Sequence, residues 1–75
     1  MKITIQYDLR LYRSLCIEQA VTVYSGFIEN VAVYEGKIFE VTFSNGIMAD
    51  EKELAHLVGE FNNYLLQLEN HIGVG

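Results

Sequence analysis

Proline is absent from the 75 residues, and cations are scarce: five Lys/Arg stand against ten Asp/Glu, for a net charge of −5. Nucleic-acid binders need a basic face to displace counterions from phosphates. Five scattered cations do not make one, so nucleic acid is excluded as a partner, and an anionic membrane surface is disfavoured for the same reason. Cys16 is the only cysteine. It permits no intrachain disulfide and supplies no cysteine pair for zinc, and a reduced, cytoplasmic setting is expected. There is no signal-peptide-like apolar run near the start and no stretch approaching the ~18 apolar residues of a membrane span. Low-complexity tracts are also missing, and 51% of the residues are hydrophobic, which argues against disorder. The length allows one domain.

What is present is periodic. Ile3, Ile5 and Tyr7 alternate with Lys2, Thr4 and Gln6, the pattern of a half-buried strand. Ser14 is the expected N-cap of a first helix, in which Ile17, Ala20, Val21 and Tyr24 share one face. Ser25-Gly26 is expected to stop it, glycine taking the left-handed conformation after the last turn. The run "FIENVAVYEGKIFEVTF" reads as a hairpin. A two-residue loop would oppose Val31 to Glu40 and mix apolar with polar on both faces. A three-residue loop with Gly36 left-handed sorts them. Phe27, Val31, Val33, Phe39, Val41 and Phe43 then share one face, with Glu29 a misfit among them. Asn45-Gly46 signals a turn. Asp50 and Glu53 have capping-box spacing and open a last helix with the stripe Leu54, Leu57, Val58, Phe61, Leu65, Leu68 and Ile72, stopped at Gly73.

The order β-α-β-β-α puts a crossover helix between two parallel strands of one sheet. Each helix has one apolar stripe and the sheet one strongly apolar face. The expected fold is therefore α+β: a single domain over residues 1–75, with a three-stranded sheet and both helices packed on one face. Strand order is not readable from the pattern.

Chemistry-bearing residues are few. His56 and His71 are separated by about 22 Å along the last helix and share no metal; no His/Cys/Asp cluster supplies other ligands. Cys16 falls in a first helical turn, which lowers a thiol pKa, but no base is paired with it, and a buried cysteine is the better reading. The carboxylates Glu51, Glu53, Glu60 and Glu69 read as a solvated face. No catalytic, cofactor-binding or metal residue is assigned, and the chain is read as non-enzymatic. The less ordinary feature is the sheet's other face, which two helices on one side leave open. Ile28, Ala32, Tyr34 and Ile38 lie there beside Thr4, Gln6, Asn30, Glu40 and Thr42. Apolar residues rimmed by polar groups suit an interface, with Ala32, Tyr34, Ile38 and Glu40 as its candidate residues. Tyr64 and Leu66, off the last helix's core stripe, are a second candidate.

Two stretches, "LYRSLCIEQAVTVYSGFIENVAVYEGKIFEVTF" and "DEKELAHLVGEFNNYLLQLENHI", carry a resemblance. The first has a Tyr-Ser start, Ile and Ala at helix spacing and a short hairpin; the second has Phe61-Asn62 followed by Tyr64-Leu65-Leu66. Together they resemble the small D protein of the His-Xaa-Ser repeat peptide-maturation systems, over about residues 3 to 72. Where that family carries a basic residue near its end, this chain has Asn70-His71. The resemblance implies an accessory role without catalytic residues or cofactors. Its expected partners are a radical S-adenosylmethionine enzyme or a precursor peptide rich in His-Xaa-Ser repeats. Docking on the open face, or as an added strand at a sheet edge, would be the means. The rival expectation is a structural homodimer that buries the same face.

Overall fold

The computed structural model describes residues 2–44 and 50–74, the last three by backbone alone. Three strands, β1 (Lys2–Asp8), β2 (Ile28–Tyr34) and β3 (Ile38–Ser44), and two helices, α1 (Ser14–Val23) and α2 (Glu51–Val74), follow the expected order. The turn expected at Asn45-Gly46 lies outside the described residues.

The sheet order is β1-β3-β2. Both outer strands run antiparallel to β3. They are therefore parallel to each other, as the crossover requires, but β3 lies between them. Ile3, Ile5 and Tyr7 stand opposite Phe43, Val41 and Phe39, while Val31 and Val33 stand opposite Val41 and Phe39. One face is thus apolar across all three strands. Both helices lie on it: Tyr7, Phe39, Val41 and Phe43 form one buried cluster with Cys16, Ile17 and Ala20 of α1 and Leu54, Val58, Phe61 and Leu65 of α2. This is the two-layer α+β domain read from the pattern. Phe61 is its hub, meeting the rings of Phe43 at 5.0 Å, Tyr24 at 5.6 Å and Tyr7 at 6.1 Å. Tyr7 reaches α2 with its polar end as well, donating from its hydroxyl to Asn62 Oδ1 at 2.6 Å. Burial, with the nearby Tyr12 phenol, pushes the Tyr7 pKa well above its ordinary value.

The hairpin has the expected register and loop: Tyr34 stands opposite Ile38, with three residues between them and Gly36 left-handed. Glu35 and Gly36 both have positive φ, 54° and 66°, and the Lys37 N–H donates to the Tyr34 carbonyl at 2.9 Å. That bond closes a turn of the primed type over Glu35 and Gly36 within the three-residue loop, with a twist that matches the strands. Lys37 is then the extra residue, and its carbonyl accepts from Leu9 N–H at 2.8 Å, tying the hairpin tip to the end of β1. The Glu29 misfit has a similar cause. The register slips between Ile28, opposite Phe43, and Asn30, opposite Thr42. Glu29 is the additional residue of a bulge, and it reaches Lys2 at 2.8 Å. The bulge turns Ile28 onto the helix-covered side, where it packs on the core, and so removes it from the open face to which alternation assigned it.

The helix ends differ from expectation. Ser14 is the first helical residue of α1, not its cap, and the capping position, Arg13, has no side-chain cap of its own. Its N–H instead donates to Glu69 Oε1 of α2 at 2.5 Å. Gly26 does not adopt positive φ. α1 closes with the Tyr24 N–H on the Ala20 carbonyl and passes into a 3-10 turn, Ser25–Phe27, so that Phe27 precedes β2 instead of belonging to its apolar face. Asp50 caps α2 as expected, accepting from Lys52 N–H at 3.0 Å. That helix runs through Gly73 to Val74.

Candidate docking surface

The open face is polar and internally bonded. Thr4 and Thr42 hydroxyls are 3.1 Å apart. Glu40, on the central strand, accepts from Gln6 Nε2 at 3.0 Å and from the Tyr34 hydroxyl at 3.3 Å. The Glu40 charge and that hydrogen bond raise the Tyr34 pKa. Ala32 stands opposite Glu40, and Tyr34 opposite Ile38. The four candidate residues Ala32, Tyr34, Ile38 and Glu40 are therefore brought together, but their apolar part is small and lies toward the hairpin tip. There Tyr34 and Ile38 help line an open groove of about 540 Å³ with Asp8, Arg10, Glu35 and Lys37. Arg10 grips Asp8, Nη2 to Oδ2 at 2.7 Å, and the side-chain and backbone hydrogen bonds from Arg10 hold the Asp8 carboxyl down at about 2.

A different surface is missing from the sequence reading. Val31 and Val33 belong to the face that the helices cover, yet they remain 43% and 53% exposed. Their β3 neighbours Val41 and Phe39 are buried. The cause is coverage. α1 has ten residues, about 15 Å of helix, against about 23 Å for a seven-residue strand, and the core contributed by the sheet comes from β1 and β3. At the start of β2 the gap beside α1 is a groove of about 270 Å³ lined by Val21, Ser25, Ile28, Glu29, Asn30 and Val31. Among the described residues the outer edge of β2 pairs with no strand. The signal was present, since β2 is as apolar on this side as β3, but helix length against strand length was needed to see it.

The remaining candidates sit apart. His56 meets Glu60, Nε2 to Oε1 at 3.1 Å, and among the described residues no cluster of three His, Cys, Asp or Glu is placed to hold a metal. Cys16 is buried. Burial and then the neighbouring Glu69 raise its thiol pKa, the reverse of the lowering that a helix N-terminus gives alone. Tyr64 is partly buried, its ring 6.0 Å from that of Tyr24, so of the second candidate pair only Leu66 is exposed. No helix among the described residues is long and apolar enough to cross a membrane.

The fold and surface define a small two-layer α+β domain in which β1 and β2 are both edge strands and β2 leaves Val31 and Val33 exposed. No protein-family model, curated protein or solved structure matches the chain.

Proposed function

We propose that this protein is a cytoplasmic, non-enzymatic accessory module that binds a protein or peptide partner during peptide maturation by radical S-adenosylmethionine enzymes. The maturation context rests on the resemblance of the two quoted stretches to the small D protein of the His-Xaa-Ser systems. The observation that carries a binding role is β2: an edge strand with no outer partner among the described residues, whose Val31 and Val33 are exposed on one side, with Ala32 and Tyr34 on the other. Edges of this kind are what β-strand addition uses; the bulge at Glu29 interrupts the start of β2, while Asn30 to Tyr34 keep a regular register.

Recovery of the precursor peptide or the modifying enzyme on the immobilised chain tests the reading, with Tyr34→Ala and Ile38→Asp variants shown to be folded by circular dichroism. Loss of recovery in the variants supports the open-face residues. Equal recovery removes them from the account, and no recovery by the parent chain removes the accessory role. A homodimer is the second reading, favoured by the same exposed valines. Light scattering separates the two, because a stable dimer that occludes β2 leaves no place there for another chain.

A further inference from the structure

We infer that the β2 edge accepts an extended segment of alternating apolar and cationic residues, apolar side chains toward α1 and cations toward the open face. This rests on the accessory reading and specifies the partner's chemistry. A fourth strand beside β2 continues the alternation of the sheet. Its inward side chains lie next to Val31 and Val33, both exposed, and one of them falls at the groove between Val21, Ile28 and Val31. A cavity of roughly 150 Å³ holds a benzene ring, so about 270 Å³ takes one leucine- or phenylalanine-sized side chain and no large ligand.

The opposite side of the added strand meets acid. Near β2 on that side stand Glu40, opposite Ala32, and Glu29, joined to Lys2 at 2.8 Å, while Glu35 and Lys37 offset each other in the turn. At the tip, Asp8 and Arg10 neutralise each other. Glu40 is held by two neutral donors, Gln6 and Tyr34, so its charge is uncompensated beside the Tyr34 ring, an arrangement that favours a cation. A second copy of the chain is the weaker occupant, because each carries a net charge of −5.

The test is a titration of the nitrogen-15-labelled chain with an acetylated octapeptide of alternating lysine and valine. Two control peptides accompany it: the same residues in block order, and the alternating glutamate-valine peptide. The alternating cationic peptide is expected to shift the amide signals of Ile28 to Tyr34 together with Val21 and Ser25, and to bind less tightly as salt rises. Glu40→Gln, which keeps an acceptor for its neighbours, is expected to weaken binding about threefold. Val31→Thr, the same shape but polar, is expected to weaken it about tenfold. Equal binding of the glutamate or block peptide, shifts confined to residues away from β2, a dimer that the peptide does not displace, or no shift at all would overturn the inference. Each of these leaves the accessory reading to its own test, since recovery of the precursor peptide or the modifying enzyme on the immobilised chain does not depend on this peptide's sequence.

Discussion

Phe61 shows what a single side chain can weigh in this molecule. It is fully buried and touches the rings of three others. At ~0.05–0.15 kcal/mol per residue, total stability should be about 4–11 kcal/mol, whereas Phe61→Ala should cost about 3–5 kcal/mol. Urea titration is expected to find that variant unfolded or nearly so. Glu35 predicts the opposite sign. It holds φ of 54° in a primed turn where Asn or Gly is favoured. Glu35→Asn should add roughly 0.5–1 kcal/mol and raise the thermal midpoint by several degrees; an unchanged or lower midpoint in calorimetry would remove the strain argument. Tyr7 gives a pH dependence. Its folded pKa is raised above the ordinary value of 10.0, so the unfolded chain releases this proton first. The associated stability is full below pH ~10 and falls above it, by up to about 1.4 kcal/mol per pH unit. In Tyr7→Phe the alkaline limb should flatten. Stability near neutral pH should fall by about 0.5–1.5 kcal/mol for the lost bond to Asn62.

Elements were legible where periodicity alone decides them, and their ends were not. Both helices, all three strands and the hairpin register follow from apolar spacing. The bulge at Glu29 announced itself as a misfit on the apolar face but could not be placed without the partner strand. The N-terminus of α1 was misread because its acceptor is not local: Glu69 lies 56 residues away from Arg13. A ten-residue helix is marginal alone, so this cross-helix cap has a consequence. Glu69→Ala should cost about 1 kcal/mol, in the range of a lost N-cap, and hydrogen exchange should quicken first at the start of α1; exchange unchanged there would show that the contact does not hold the helix. The Asp8 turn makes a companion case at low pH. Its folded pKa is lowered to about 2, so its stabilising effect is present above the ordinary carboxyl pKa of 3.8 and is lost as pH falls toward 2. Asp8→Asn should abolish that part of the acid profile.

At the scale of the whole molecule, the two-layer arrangement with both helices on one face could be read from three apolar faces that must meet. The candidate site was legible only in part. Ala32, Tyr34, Ile38 and Glu40 do share the open face, but the bare apolar surface is on the other side of β2, where Val31 and Val33 read as core because their pattern matches that of Phe39 and Val41. Pattern gives the face a residue occupies; only the reach of the helices says whether that face is covered. The most direct measurement is therefore the labelling rate of a thiol placed at position 33. Cys16, fully buried, serves as the internal unreactive reference. The account predicts that Val33→Cys reacts with a maleimide nearly as fast as an unfolded thiol in the folded, monomeric chain, while Cys16 remains unmodified. Protection of the new thiol to the level of Cys16 would contradict it, because the helices, or a second copy, would then cover the strand on which recognition is placed.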